Sequence, residues 1–399
     1  MNILYIYHWT KIAPAIQPNT SVNLYTGKTT NMWRFAEAVA TKKNVHVHII
    51  SDYIEPKYPA VEKYGDNITI YRLEKRFPTP FGQLFRRIID ARFLAKKIIK
   101  KENIDAIFFD FSPWPPALYP TMGSYLKFNI PVVMHGDTTF KSPTLLNGVE
   151  NRPDTNLMLR YIHKADVIHT LAPHQKRQFM ERGYPNNRIF VIPNPVNPDK
   201  YSPKRDKGMF RKAYNIRKDE IIVSYVKGKE DRAERFLGVV APSLLEKYDV
   251  KICMFGSLSK SLIDKYSQPN IIFAGPLPKE MFLDALATTD ISFILQQESI
   301  GEHSTVTRLG ELAMCGVPLI ILEDKSFLWT NMEDAVLCGL DKGNDAVFKE
   351  NMMKSLSTLI EDKELRKNIG RNARETAKEK FGYKITAEKM IEMFKSAVK

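Results

Sequence analysis

One stretch of the sequence, residues 290–323, restricts the possible folds more than any other. Residues 291–295 form a short apolar run that predicts a buried strand, and 317–322 form a second such run. Between them a polar loop leads into a helical pattern over 306–315, which Gly316 suits as the left-handed residue that ends a helix. This order predicts a strand–loop–helix–strand unit of a parallel sheet. In such sheets ligands bind at the carboxyl ends of the strands, facing helix N-termini.

The start of this predicted helix carries side chains suited to a phosphorylated sugar compound. Ser304 and Thr305 come near its N-terminus, where backbone N–H groups and the helix dipole favour a phosphate. Arg308 and Glu311 are three residues apart and therefore share one helix face. An arginine suits diphosphate oxygens, and a carboxylate suits the paired hydroxyls of a sugar. These four residues are candidates for binding such a compound.

The segment from Glu311 to Pro318, ELAMCGVP, resembles the donor-nucleotide motif of glycosyltransferase family 4 and related GT-B enzymes. The resemblance implies that Glu311 holds the ribose hydroxyls of a nucleotide sugar. It also implies a first motif glutamate in the preceding loop, for which Glu298 and Glu302 both remain candidates. The usual Glu-Gly-Phe-Gly run is absent, and the loop is longer. The run Ser304–Arg308 is similar to a Ser-x-x-Lys variant of the motif, with arginine in place of lysine.

A second cationic group follows the apolar run 220–226, which predicts the first strand of a new sheet. In the resembled family an arginine and a lysine five residues later grip the donor diphosphate. Lys227 and Arg232 keep that spacing with the identities exchanged, and ordinary surface cations are the alternative. Two cations offset diphosphate charge without a metal, and no DxD-like motif is found at a suitable strand end, so we expect no metal and no cofactor. Gly256 ends the next predicted strand, where a turn lets the backbone approach a nucleotide.

Candidates for the acceptor side lie in the first half. Residues 131–137 predict a strand with its C-terminal turn, and they resemble the family's acceptor-side strand end, where a histidine and an acidic residue face the reaction centre. His135 and Asp137 take those places, and His135 could accept the proton of the acceptor hydroxyl or simply hold that hydroxyl. Lys28, in the first loop, and Asn194, in a segment resembling the family's Ile-Pro-Asn-Gly-Val-Asp, are further candidates. The alternatives are that Lys28 is an ordinary solvated lysine and that His135 has only a structural role.

The remaining histidines do not predict a site. His46 and His48 alternate along a predicted strand, and His163, His169 and His174 have no grouped partners in the sequence. Metal ligation by these residues is therefore not expected.

A strongly amphipathic helix is predicted over 83–101. Its basic residues contribute to the net charge of +14 that the chain carries. Its polar side holds Phe93 together with Arg86, Lys97, Lys100 and Lys101. This side predicts a surface that attracts anionic lipid, with a solvated basic face as the equal alternative. No apolar run approaches the length of a membrane span. The N-terminus lacks a basic leader and a cleavage site, so it predicts a first strand and not a signal peptide. Cys253, Cys315 and Cys338 show neither metal spacing nor a disulfide framework, which predicts a cytoplasmic protein, with a peripheral place at the inner membrane face if the lipid surface exists.

The fold class expected from these features is α/β. The resemblance implies the GT-B form, with two facing Rossmann-like domains and a cleft between them. Residues 1–200 would form the acceptor-side domain, 201–380 the nucleotide-sugar domain, and 381–399 a helix that packs back on the first.

The reaction implied by the resemblance is transfer of a sugar from a UDP or GDP sugar to a hydroxyl of a glycan or lipid-linked acceptor, with retention. Two rivals remain. One is a hydrolase or epimerase of sugar nucleotides, and the other is a degenerate GT-B protein that binds polyanions such as nucleic acid. Nucleic acid is the less favoured partner, because aromatic and basic residues interleave only in the region 81–101.

Overall fold

The computed structural model describes residues 1–6, 27–51, 58–73, 80–111, 128–136, 163–226, 230–295, 303–322, 328–339, 341 and 343–398, with the backbone alone at 27–31, 80–88, 110–111 and 303–306. The chain divides into two compact units. The first consists largely of Met1–Pro195 and Tyr383–Lys399, and the second largely of Val196–Ser299 and Ser304–Gly382. Each unit is a sheet of mostly parallel strands covered by helices.

The first unit alternates strands with helices along the chain. Its elements are β1 (Asn2–Ile6), α1 (Gly27–Ala40), β2 (His46–Ser51), β3 (Val61–Tyr64), β4 (Ile68–Arg72), α2 (Pro80–Glu102), β5 (Ala106–Phe111), β6 (Val132–Gly136), β7 (Val167–Thr170), α3 (Pro173–Met180) and β8 (Ile189–Val191). The described strands pair in the order β3-β4-β2-β1-β5-β6-β7-β8. Every neighbouring pair is parallel except β3 and β4. The strand order reverses beside β1, which makes the sheet doubly wound.

The second unit repeats this plan. Its elements are α4 (Met209–Ala213), β9 (Ile221–Val226), α5 (Glu230–Arg235), α6 (Ala241–Lys247), β10 (Val250–Phe255), α7 (Lys260–Tyr266), β11 (Ile271–Gly275), α8 (Lys279–Ala287), β12 (Ile291–Ile294), α9 (His303–Met314), β13 (Leu319–Leu322), β14 (Val336–Cys338), α10 (Asp345–Glu361) and α11 (Lys363–Phe381). A π-helical turn, Phe236–Val240, joins α5 to α6. The described strands are all parallel, in the order β11-β10-β9-β12-β13-β14, which is the doubly wound Rossmann order.

The last helix, α12 (Tyr383–Val398), belongs to the first unit and packs beside α1. The hydroxyl of Tyr383 donates to Glu37 at 2.8 Å, and the ammonium of Lys42 pairs with Glu388 at 3.0 Å. The aromatic ring of Phe394 lies 5.9 Å from that of Phe108 in the sheet. Helices therefore cover both faces of this sheet, as parallel strands with apolar side chains on both sides require.

Two helix starts and one strand differ from what the sequence predicted. Helix α9 begins at His303, three residues before the predicted start at 306, and α2 begins at Pro80 rather than 83. A proline is compatible with a first helical turn because its missing N–H has no partner there. Strand β3 was not predicted at all. It pairs antiparallel with β4 through a tight turn at Gly65, whose φ of +58° suits a glycine.

Candidate functional site

The candidate donor site of the second unit lies at the carboxyl edge of its sheet, where the strand order reverses. Strands β9 and β12 are neighbours there, and the buried hydroxyl of Ser224 on β9 donates to that of Ser292 on β12 at 3.0 Å. Helix α5 follows β9 and α9 follows β12, so both helices begin beyond this edge. Such a reversal point is where doubly wound sheets bind ligands.

Arg308 and Glu311 lie on one face of α9 and form an ion pair. The carboxylate side chain of Glu311 is buried, with 1% of its surface exposed, whereas 42% of the Arg308 side chain is exposed. The guanidinium carbon of Arg308 also lies 5.2 Å from the centre of the Phe282 ring on α8. Burying a carboxylate is costly unless it is paired, so Arg308 stabilises the charged form of Glu311 at this position.

The thiol of Cys315, one helical turn beyond Glu311, is affected by that carboxylate. Burial raises the pKa of Cys315 to about 12, and the nearby negative charge of Glu311 adds to the increase. Cys315 is therefore a packed, unreactive thiol near neutral pH.

Close packing at the end of α9 fixes the position of this helix. Gly316 follows the helix with a φ of +77°, the left-handed conformation that a glycine adopts without strain. Gly370 of α11 packs directly on it, since a Cβ atom at position 370 would lie 2.2 Å from the Gly316 carbonyl oxygen. Inside α9, a Cβ at Gly310 would lie 3.1 Å from both Phe381 and Val196. These contacts hold the helix that carries Arg308 and Glu311.

The start of α5 carries the second predicted cation. Arg232 is the third residue of this helix and is partly exposed. Glu230, its first residue, accepts a hydrogen bond from the Ser259 amide at 3.1 Å and another from the Ser259 hydroxyl, which ties the start of α5 to that of α7. The π-helical turn Phe236–Val240 interrupts the following helix, a feature frequent at functional sites.

Gly256 lies at the same edge, directly after β10. Its φ is +102°, and its amide donates to the Gly275 carbonyl oxygen at 3.0 Å. A side chain at this φ would be strained, so the turn after β10 presents backbone rather than side chain.

Several predicted site residues lie outside the described residues, namely Asp137, Lys227, Glu298 and Glu302. Only the backbone is described at Lys28, which falls in the first turn of α1, at Arg86 in α2, and at Ser304 and Thr305 in the first turn of α9. The choice between Glu298 and Glu302 stays open, and all of these assignments stay predictions.

Two of the acceptor-side candidates, His135 and Asn194, have described side chains, and both are buried. His135 is the fourth residue of β6, and Asn194 follows β8; each has 1% of its surface exposed. Nδ1 of His135 lies 2.8 Å from Nδ1 of His169 on β7, and Nε2 of His169 lies 2.8 Å from the Ile192 carbonyl oxygen. Both histidines thus belong to one hydrogen-bonded chain at the end of the sheet.

The expectation that His169 has no grouped partner was wrong. His135 and His169 are register partners on adjacent parallel strands, although 34 residues separate them in the sequence. The signal was present, because each histidine follows a short apolar run that predicts a strand. It could not be read without the strand register, which only tertiary structure sets.

In the part of the chain that the structure describes, no helix is long and apolar enough to cross a membrane. Among the same residues, no group of three or more histidine, cysteine and acidic side chains is arranged to hold a metal ion.

Two family models match the chain. The model described as Glycosyltransferase Family 4 matches residues 27–200, and the model described as Glycosyl transferase-like matches residues 232–392. Among curated proteins, N-acetyl-alpha-D-glucosaminyl L-malate synthase of Bacillus anthracis is 23% identical over 317 residues, which cover 75% of this chain and 76% of the relative.

Solved structures share the fold over nearly the whole chain. Sucrose-phosphate synthase from Thermosynechococcus elongatus superimposes with a TM-score of 0.71 at 17% identity, covering 99% of this chain and 98% of that chain. HepE of Anabaena, solved in complex with UDP and glucose, gives a TM-score of 0.62 at 14% identity, covering 98% of each chain. At these identities the likeness concerns the fold.

Proposed function

Because this chain belongs to the glycosyltransferases of the family 4 type with a GT-B fold, we propose that it transfers a sugar from a nucleotide-sugar donor to the hydroxyl of an acceptor. The second unit binds the donor. The observation that carries this proposal is the Arg308–Glu311 pair on α9, which follows the β12 edge where the strand order reverses.

The two side chains have complementary tasks in this proposal. The Glu311 carboxylate accepts hydrogen bonds from the paired ribose hydroxyls, and Arg308 both holds that carboxylate and offers its exposed part to donor oxygens. Lys227 and Arg232, beyond β9, neutralise the diphosphate. The backbone turn at Gly256 allows the nucleotide to approach closely.

The reaction is a displacement at the anomeric carbon of the sugar. The acceptor oxygen forms a bond to that carbon on the face from which the diphosphate departs, which keeps the anomeric configuration. The bond from that carbon to the diphosphate oxygen breaks, and its electron pair leaves on the nucleoside diphosphate. The proton of the acceptor hydroxyl passes to the leaving diphosphate or to His135. Negative charge grows on the departing diphosphate. Cations that already lie beside the diphosphate when the reaction starts therefore accelerate the reaction most. Lys227 and Arg232 take this role, and we propose that the reaction requires no metal and retains the anomeric configuration.

The donor that we propose to test first is a UDP sugar. HepE, of the same fold, is solved with UDP and glucose, and this supports UDP ahead of GDP. His135, Asp137, Lys28 and Asn194 of the first unit are the proposed acceptor-side residues.

A lipid-linked acceptor is supported by the exposed surface of α2. Phe93 is 64% exposed and Ile89 is 45% exposed. The same side of the helix continues with the exposed lysines Lys97, Lys100 and Lys101. Exposed apolar side chains beside a row of cations match the chemistry of an anionic lipid surface.

Thermal unfolding with UDP, GDP and ADP sugars tests the donor proposal, because a ligand that binds only the native state raises its stability. We expect one nucleotide class to raise the Tm in a concentration-dependent way, and no shift with any of them would contradict the proposal. Product analysis with and without added acceptor separates the rivals. Turnover without an acceptor would indicate a hydrolase or epimerase, and salt-dependent binding of oligonucleotides without nucleotide-sugar binding would indicate a polyanion-binding protein.

A further inference from the structure

A row of aromatic rings connects the core of the second unit to the partly exposed guanidinium of Arg308. Phe255, the last residue of β10, is buried, and its ring meets that of Phe210 edge-on at 5.4 Å. The ring of Phe282 on α8 lies edge-on to Phe255, with the ring centres 6.4 Å apart. The guanidinium carbon of Arg308 lies over the Phe282 ring, 5.2 Å from its centre. The core thus fixes the ring on which the guanidinium rests.

Arg308 is held from two sides. Its Nη1 donates to the Glu311 carboxylate on the same helix, and the Phe282 ring lies against the guanidinium from the neighbouring helix α8. Glu311 takes one of the five N–H donors of the guanidinium, and the described residues include no acceptor for the others. Since 42% of the Arg308 side chain is exposed, an anionic ligand can reach it while both contacts persist.

This double contact gives a reason for the arginine at position 308, where the resembled motif variant has lysine. A planar guanidinium can stack on a ring and at the same time donate to a carboxylate and to a further oxygen. An ammonium is a compact and strongly hydrated point charge, which does not combine these contacts in one plane. The ring of Phe282 therefore makes full use of an arginine only.

We infer that Phe282 is a positioning residue for donor binding, which acts through Arg308. The inference rests on the proposed function, in which the exposed part of Arg308 meets donor oxygens. An exposed arginine loses rotamer freedom when it binds a ligand, and this loss weakens binding. Phe282 and Glu311 restrict Arg308 before the donor arrives, so less freedom remains to be lost. The ring also attracts the cation directly.

The contact can be read without any ligand by NMR on the full chain with labelled arginine, with Arg308→Lys used to assign the signals. We expect NOEs between the side-chain protons of Arg308 and the ring protons of Phe282. Protons above a ring face also resonate upfield, so the Arg308 signals should move downfield in Phe282→Leu and stay in place in Phe282→Tyr, which keeps the ring. A wild-type spectrum without these NOEs would overturn the inference.

Calorimetric titration with UDP measures the effect on binding. We expect the Kd to rise about 3- to 30-fold in Phe282→Leu, as for a lost cation–π contact, and to stay within about twofold in Phe282→Tyr. Phe273→Leu is the matched control, because Phe273 is also partly buried in the second unit but packs on a different core cluster. An unchanged Kd in Phe282→Leu would overturn the inference.

A mutant cycle separates an action through Arg308 from a general loss of packing. In the background of Arg308→Gln, we expect Phe282→Leu to change the Kd by less than about twofold, because the group that the ring positions is gone. An equal effect of Phe282→Leu with and without Arg308 would overturn the inference. If Phe282→Leu does not fold, Phe282→Met takes its place, since methionine has a similar volume and no ring.

The inference and the proposed function fail in different ways. A wild-type protein that binds neither UDP, GDP nor ADP sugars would contradict the proposed donor site, and the NOEs would still decide whether Phe282 holds Arg308. Binding of UDP that Phe282→Leu leaves unchanged would overturn the role of Phe282 alone.

Discussion

Arg308 and Glu311 form an ion pair one turn apart on α9, with the carboxylate buried and the guanidinium partly exposed. The pair links the stability of the helix to the proposed donor site. A carboxylate in this position accepts hydrogen bonds strongly, because it is charged and is shielded from water.

The first prediction concerns Glu311. Glu311→Gln keeps the shape of the side chain but removes the charge that ribose hydroxyls would meet, so we expect the Kd for the donor to rise about 10- to 100-fold, as for a lost charge-assisted hydrogen bond. Calorimetric titration of the nucleotide sugar measures this change. Glu364→Gln, at an exposed carboxylate on α11, is the matched control. An unchanged Kd in Glu311→Gln would exclude the ribose contact.

The second prediction separates two arginines of one short helix. Arg235 pairs with the buried Asp341 at 3.0 Å and with Asp345 at 2.8 Å, and it stacks on the Phe348 ring at 4.3 Å. We expect Arg235→Gln to lower the free energy of unfolding by about 1–3 kcal/mol, since it leaves a buried carboxylate with fewer partners.

Arg232→Gln should lower activity rather than stability. We expect little change in the free energy of unfolding and a fall in kcat of about 10²-fold or more, because a cation that stabilises the leaving group is lost. Urea unfolding and steady-state kinetics on both variants check the contrast. Equal losses of stability in the two variants would contradict the assignment of Arg232 to the diphosphate.

The third prediction concerns the packing of α11 on the turn that ends α9. Gly370→Ala would place a Cβ 2.2 Å from the backbone oxygen of Gly316, a contact that requires the two segments to separate. We expect a loss of about 3 kcal/mol or more in the free energy of unfolding, at the upper end for overpacked sites. Asn368→Ala, at an exposed position of α11, should change it by less than about 0.5 kcal/mol. A stable Gly370→Ala would show that α9 is not held by this contact.

The fourth prediction tests the lipid surface of α2. Replacing Lys97, Lys100 and Lys101 with glutamine should greatly weaken sedimentation with anionic vesicles, since each lysine near such a surface contributes about 1 kcal/mol. The control replaces Lys349, Lys354 and Lys363, exposed lysines of the second unit, and makes the same change in net charge. Equal weakening by both sets, or a parent protein that does not sediment with vesicles, would exclude this surface.

The sequence predicted the parts of the molecule that depend on local periodicity. The strands β12 and β13, the helix between them and the left-handed Gly316 follow from apolar runs and one glycine. The 3.6-residue period likewise placed Arg308 and Glu311 on one face, although it could not show that they pair with each other.

The parts that were not predicted depend on contacts between distant segments. The pairing of His135 with His169 needs the register of β6 against β7. The strand β3 was missed because its four residues are mostly exposed and have a weak apolar pattern. The turn at Gly65 was a stronger sign of a hairpin than the strand itself.

A crystal structure of the protein with a bound UDP sugar tests the central claim most directly. The account predicts that the ribose hydroxyls lie within hydrogen-bond distance, about 2.6–3.2 Å, of the Glu311 carboxylate, with the diphosphate against Lys227 and Arg232. A nucleotide bound elsewhere, with Glu311 still paired only to protein groups, would contradict it.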